Sequence, residues 1–437
     1  LARETTTEGF RPIFAAWWPL AGSWILMATE LPMLSAVVAR LADPKIHLAA
    51  YGSVVFPLAL IVEGPVIMLL AASTALVRDR SSYVALRRFV HRLAGSLTLL
   101  HVLLAFTPLF DLVIVRLMEV PAAVVEPARL GLMIMTPWTW TIASRRFNQG
   151  ILIRYGLSRA VGVGTTLRLG SNLSVLGIGY LAQDIPGIVV AASAIATGVT
   201  AEALYAAWRV RPLVRRELAE DDPRHETLRG RAFLEFYVPL AMTPLITLSL
   251  GPFVTAAMSR MPEALASLAV WPVVHGLLFL FQSVGLAYNE VVVSRMDRVG
   301  ERPALRSFAL MLSGITSVLL LLISTPLIAR VWFGGFSGLS PELVELAATV
   351  VVFGIPIPAM RAIQSWYHGA LVHTRHTRGI TESVVVFVIV CGAVLAYGIQ
   401  AERWRGLDVA VVAFALARVI ETIYVGWRAR SALRHAT

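Results

Sequence analysis

The second half of this chain repeats the first at an offset of about 219 residues, and that duplication constrains the fold more than any other feature. Phe14-Ala-Ala-Trp-Trp18-Pro19-Leu20 returns as Phe236-Tyr-Val-Pro239-Leu240. Arg40 and Arg260 each close an apolar run 21 residues after those prolines. Thr107-Pro108-Leu109 recurs as Thr325-Pro326-Leu327, and Pro137 with Gln149-Gly150 recurs as Pro358 with His368-Gly369. Four landmarks in one order, with offsets between 218 and 221, point to duplication. Each half carries six long apolar segments. An even number returns the chain to its starting side, so both halves enter the membrane from the same face. The expected fold is therefore an all-α integral membrane protein with twelve transmembrane helices in two homologous six-helix bundles, related by a pseudo-twofold along the membrane normal. A central cleft between such halves is where this architecture holds a solute.

Composition supports a membrane class independently. Hydrophobic residues make up 57% of the 437 residues and charged residues 15%, against roughly a quarter charged in an average soluble domain. The expected spans are 14–40, 48–77, 90–115, 121–145, 160–183, 187–209, 233–258, 264–293, 305–332, 343–366, 379–400 and 407–428. Each reaches the roughly 20 residues that cross a hydrocarbon core, and the longer ones imply tilt or kinks. Three parts follow: an N-terminal bundle over 1–208, a charged cytoplasmic linker over 209–232, and a C-terminal bundle over 233–437.

With both termini inside, the termini and the cytoplasmic connections hold 28 of the 38 Lys+Arg, and the opposite connections hold 8. That asymmetry places both termini in the cytoplasm of a plasma (inner) membrane. The net charge of +11 then describes a rim facing anionic membrane lipids, not a nucleic-acid surface. Cys391 stands alone, so no disulfide framework or cysteine metal site is expected. Nothing ahead of the first span reads as a cleavable signal. The chain carries no G-x-x-x-x-G-K-[ST] loop for hydrolysing ATP and no H-E-x-x-H zinc motif. Gly162-Val-Gly164 lies inside a span without a preceding strand, so it does not read as a dinucleotide site. No cofactor, metal or catalytic centre is expected. What remains is a carrier moving solute down a gradient or coupled to an ion.

The two-bundle plan resembles the multidrug/oligosaccharidyl-lipid/polysaccharide exporter superfamily. Within it, several stretches resemble the progressive ankylosis protein family. They are Trp17-Trp18-Pro19-Leu20-Ala21 with Pro32, Val38 and Arg40, then Leu48-Ala49-Ala50-Tyr51-Gly52, Gly64-Pro65 and Arg78-Asp79-Arg80. Gly150-Ile151-Leu152 and Pro356-Ile357-Pro358-Ala359-Met360-Arg361-Ala362 complete the likeness. The resemblance implies export of small organic and phosphorylated anions, of nucleotide, pyrophosphate or citrate type, without a cofactor. One departure bears on this. Where the family pattern carries arginines in the corresponding first helix, this chain has Ala28 and Leu31 around Glu30, and no charge lies between Glu235 and Arg260.

Intramembrane polar residues give the candidate binding set, because a charge in the bilayer costs several kcal/mol unless it faces water or a partner. Glu63 precedes Gly64-Pro65, a pair that weakens a helix and frees backbone groups. Glu30 precedes Leu31-Pro32. Either carboxylate could carry a coupling proton or bind sodium, or simply tie helices together. His275, Gln282 and Asn289 recur at steps of seven on one face of span eight, and Arg361, Gln364 and His368 at steps of three and four on span ten. Each stripe fits cavity lining or helix-packing glue. Arg418 and Glu421 read as a pair, Arg168 and Glu202 as facing one another, and Arg145 and Arg146 as rim charges. The alternatives are a proton- or sodium-coupled cationic drug exporter, for which Glu30 and Glu63 argue, and a lipid-linked saccharide flippase.

Overall fold

The computed structural model describes residues 4–218, 220–221, 230–296, 298–374, 376 and 378–435. Helices dominate them, and no strand occurs among them. Twelve long helical segments follow one another: α1 Phe10–Val38, α2 Pro44–Leu76, α3 Arg80–Phe106, α4 Ala122–Arg154, α5 Ser158–Ala182 and α6 Gly187–Arg216. The second set is α7 Gly230–Ser259, α8 Ala264–Arg295, α9 Arg302–Ile323, α10 Pro341–His373, α11 Arg378–Ala401 and α12 Gly406–His435. Ten of the twelve are long and apolar enough to cross a membrane. The two outside that set are α4, which carries Glu126, Arg129, Arg145, Arg146 and Arg154, and α5, diluted by Gly, Ser, Thr and two arginines. The chain is a multi-pass membrane protein.

The repeat is visible in the backbone. A π-helical turn at Asp111–Leu117 returns at Arg330–Phe336, 219 residues later. Left-handed residues at Glu119 and Gln183 return at Gly338 and Glu402 with the same offset, and Asp43 returns at Glu263 with 220. The expected third and ninth spans, 90–115 and 305–332, ran through Pro108 and Pro326. The helices instead stop at Phe106 and Ile323, and helix resumes just past Pro108 and at Pro326, because proline donates no amide and disfavours helix in the residue before it. The fourth span was expected to end at Arg145, but α4 continues to Arg154. Asp79 of the Arg78-Asp79-Arg80 stretch caps α3: its carboxylate accepts from the Ser82 amide at 2.8 Å, and the Ser82 hydroxyl answers the Asp79 amide at 3.0 Å.

Packing divides the chain differently from the expected 1–208, 209–232 and 233–437. One compact unit contains α2 to α6 with most of α7, and the other contains α1 with α8 to α12, the breaks falling at Arg40/Leu41 and Ala256/Ala257. Each half's first helix thus joins the unit built from the other half. Part of the 209–232 linker lies outside the described residues, and Arg209 to Arg216 belong to α6.

Within the first unit, α2 is not continuous. After an α-helical start at Pro44–Leu48 it passes into a π-helical stretch, Ala49–Val55, and it breaks again at a 3-10 turn, Gly64–Val66, where Gly64-Pro65 was expected to loosen it. Pro57 cannot donate to the Ser53 carbonyl; the Thr255 hydroxyl of α7 does so instead. Tyr237, also on α7, donates its hydroxyl to the Pro65 carbonyl. In the second unit the corresponding donor is the Trp17 indole of α1, which reaches the Val284 carbonyl of α8 at 3.0 Å. Pro57 of α2 packs against Gly251 of α7, and Gly276 of α8 packs against Pro32 of α1. The residues have traded places, since 276 − 57 and 251 − 32 are both 219.

Gly150 and Gly369 hold equivalent close approaches. A methyl on Gly150 would collide with Ser73 and the Leu70 carbonyl of α2, and one on Gly369 with Val292 of α8. Gly150→Ala is expected to cost about 1–3 kcal/mol by overpacking, read as a lowered apparent Tm of the purified protein. Gly22→Ala, where nothing lies within 4 Å of the added carbon, serves as the neutral control. Equal Tm values for the two variants would mean that α2 and α4 separate freely at this point.

Candidate functional site

Each unit buries one cluster of charged and amide side chains. In the first unit it centres on Glu202 of α6, which is 1% exposed. Its carboxylate accepts from Arg145 at 2.6 Å and Gln149 at 2.9 Å, both on α4. From α5, Thr165 donates at 3.3 Å and Arg168 forms an ion pair at 3.4 Å. Arg145 and Gln149 are one helical turn apart, so one face of α4 delivers both donors. Glu63 is 3% exposed, and its Oε2 has no hydrogen-bond partner among the described residues. Arg146 and Arg145 are the charges that act on it.

The second unit repeats the arrangement around Gln364 of α10 and Glu421 of α12. Gln364 donates to Glu421 at 2.9 Å and accepts from Arg361 and Arg418, each at 3.3 Å. Arg418 pairs with Glu421 at 2.7 Å and lies 4.5 Å from the centre of the Phe387 ring. The α10 backbone is interrupted at Ile355, and Pro356 and Pro358 deny the Val352 and Gly354 carbonyls their usual donors. Arg361 therefore lies in the second turn of a fresh helical segment that starts at Pro356. The hydrogen bond to Gln364 is the one the Arg361 guanidinium makes among the described residues, and no carboxylate pairs with it there.

The expected residues distribute as follows. Arg361 and Gln364 are hydrogen-bonded. His368 lies one turn along, partly buried, with Nε2 unpartnered and the positive charges of Arg361 and Arg418 acting on it. His275 of α8 packs its ring against Trp271 and Phe414, at centroid distances of 5.2 and 6.3 Å. Gln282 is buried, and Asn289 leaves its Oδ1 without a partner. Between those two, Gly285 lies against α10, and its carbonyl accepts from Ser365 at 2.7 Å. Glu30 stands at the break after Thr29 that divides α1 ahead of Pro32. Arg418 and Glu421 are paired as expected, as are Arg168 and Glu202. Arg145 and Arg146 are not rim charges. They lie two turns inside α4, and Arg145 is 7% exposed.

The members that sequence reading missed are Arg145, Arg146, Gln149 and Thr165. The repeat register carried a usable signal: 421 − 202 is 219, and the same step takes Glu63 to Gln282, Arg145 to Gln364 and Gln149 to His368.

No protein-family model matches the chain. No curated protein matches it. Solved structures do. A multidrug resistance MATE family transporter of the MOP superfamily, in an inward-facing conformation, aligns at TM-score 0.68 with 14% identity, over 96% of this chain and 99% of its own. The lipid II flippase MurJ, in an inward closed conformation, aligns at 0.71 with 13% identity, over 94% and 87%. A MOP superfamily transporter from Pyrococcus furiosus aligns at 0.60 with 14% identity, over 96% of each chain. At these identities the likeness concerns architecture, and it extends over nearly the whole chain: this protein has the fold of the MOP-superfamily transporters.

Proposed function

We propose that the chain is a secondary transporter that exports a small organic or phosphorylated anion by alternating access, with both termini in the cytoplasm of the plasma membrane. The observation that carries the sign of the substrate is the charge balance of the buried clusters. Arg145, Arg146 and Arg168 face Glu63 and Glu202, three cations against two carboxylates. Arg361 and Arg418 face Glu421 alone, two against one. Each cluster has one guanidinium in excess, and an anion would balance it. The balance also answers the departure noted at Glu30, because the arginines lie on α4, α5, α10 and α12 and not on the first helices. The Pyrococcus furiosus structure is described by a reversed polarity of its binding pocket, so this fold does not by itself dictate the charge of the cargo. The likeness to the progressive ankylosis protein family supports the same substrate class.

The test is uptake into proteoliposomes of citrate, pyrophosphate and nucleotides, with cationic drugs and a lipid-linked saccharide as separate arms. Movement of the anions supports the reading. Movement of cations alone, dependent on Glu30 or Glu63, replaces it with a coupled drug exporter, and movement of the lipid-linked saccharide alone replaces it with a flippase. Glu63 is the candidate coupling group, since its carboxylate retains an unpartnered buried oxygen beside the break in α2. Glu63→Gln keeps the shape and removes the proton site. It is expected to flatten the pH dependence of transport while leaving folding intact. A variant whose rate follows pH as the parent's does would return Glu63 to a packing role.

A further inference from the structure

A second basic site lies away from both buried clusters. Helices α3, α4 and α6 border a half-open cavity of about 340 Å³. Arg87 and His91 of α3 line it, spaced one turn apart, as do Arg211 and Arg215 of α6, also one turn apart. Two helices on either side of α4 therefore point four nitrogen-bearing side chains into one space. No acidic residue lines it, and among the described residues no carboxylate pairs with Arg87, Arg211 or Arg215. Arg87 donates from Nε to His91 Nε2 at 3.3 Å, and the His91 ring stacks on Trp140 of α4 with centroids 5.5 Å apart. That pair leaves the terminal nitrogens of the Arg87 guanidinium free to donate. The rest of the wall mixes apolar residues such as Val90, Ala94, Ala207 and Val214 with the polar Tyr83, Ser144 and Asn148. On α6 the neighbouring Leu204 and Trp208 are 68% and 59% exposed, giving an apolar track away from the cavity.

A cluster of guanidinium groups beside an exposed apolar track matches a phosphate joined to a hydrocarbon body. Guanidinium binds phosphate oxygens two at a time, and a basic pocket between membrane helices is suited to an anionic head group. We propose that this cavity is a binding site for a phosphate group, carried in the membrane by an anionic phospholipid whose chains lie along α6. The proposal does not depend on what the protein transports. The repeat keeps all three arginines in the second half, as Arg306, Arg430 and Arg434, but places Leu310 where His91 stands and Tyr367 where Asn148 stands. The His91–Trp140 stack has no counterpart there, since Ala359 stands where Trp140 does, and the site is accordingly placed between α3, α4 and α6.

The experiment uses the full-length protein in nanodiscs and measures displacement of a fluorescent phosphatidylglycerol by unlabelled phosphatidylglycerol, phosphatidylcholine and inorganic phosphate. The parent is expected to prefer phosphatidylglycerol over phosphatidylcholine. Removing Arg211 and Arg215 together (R211Q/R215Q) should reduce that preference by about fivefold for each arginine lost. A207L fills the cavity and leaves every charge in place, and it should also abolish the preference. If A207L retains it while the arginine variant loses it, the attraction comes from diffuse rim charge and the cavity is not the site. If R211Q/R215Q retains it, the proposal falls. Displacement by millimolar inorganic phosphate would keep the phosphate site and assign it a soluble occupant instead of a lipid. R211K/R215K provides the folded control: it keeps the charge, loses the planar donors, and should retain part of the preference.

Discussion

Glu202→Ala is expected to destabilise the protein by roughly 3–5 kcal/mol, the cost of leaving a buried partner charge uncompensated. Four side chains from two helices converge on this one carboxylate: Arg145 and Gln149 from α4, Thr165 and Arg168 from α5. Removing it leaves Arg145 and Arg168, 8% and 12% exposed at their side chains, without the carboxylate that pairs with both. Arg145→Ala should cost less, because Glu202 retains Arg168 and Gln149 as donors. Glu202→Gln should fall between, keeping an acceptor while deleting the charge. The order of apparent Tm values, parent above Arg145→Ala above Glu202→Gln above Glu202→Ala, checks the account. A Glu202→Ala protein melting within the spread of ordinary surface variants would show that water or lipid phosphate already reaches this cluster. Glu421→Ala in the second unit should behave in the same way, since Arg418 and Gln364 lose their shared acceptor.

The duplication, the helical class and the break in α2 were legible because each depends on residues close in sequence. Proline removes a donor wherever it stands, so Gly64-Pro65 announces an interrupted helix without any tertiary information. Pro108 and Pro326 carried the same message but were read through, because the apolar run continues on both sides of each. The burial of Arg145 and Arg146 was not legible locally. An Arg-Arg pair at the end of an apolar run looks like a membrane rim, and its anchor, Glu202, lies 57 residues further along. Register with the second half would have found it, since Glu421 and Arg418 already read as paired. The exchange of first helices between compact units was likewise hidden. Hydrophobic pattern reports that a face is buried, but it does not name the helix that covers it. Reciprocal contacts such as Pro57 on Gly251 and Gly276 on Pro32 become meaningful once the packing partner is known.

The two clusters are similar in plan and unequal in detail, and the inequality selects the position to test. Arg145 and Arg168 each have a carboxylate partner, whereas Arg361 has a neutral amide. A guanidinium offers five N–H donors. Satisfying one of them through Gln364 leaves the others available to a ligand. Arg361→Ala is therefore expected to raise the apparent KM for a transported anion by roughly ten- to hundredfold, the worth of one or more hydrogen bonds to a charged group. Arg361→Lys should lie between alanine and parent, because it keeps the charge but loses the planar fork that engages two oxygens of a carboxylate or phosphate. Gln364→Leu should weaken the anion less, since it removes the group that orients Arg361 and leaves the guanidinium itself. The measurement is concentration-dependent uptake of citrate and pyrophosphate into proteoliposomes, with protein orientation and amount matched between variants. Equal KM and rate for Arg361→Ala and the parent would remove this residue from the site and leave the first unit's arginines to account for the anion. A parent that carries neither citrate nor pyrophosphate but accumulates cationic drugs, with Arg361→Ala unaffected and Glu63→Gln inactive, would reverse the sign of the substrate altogether.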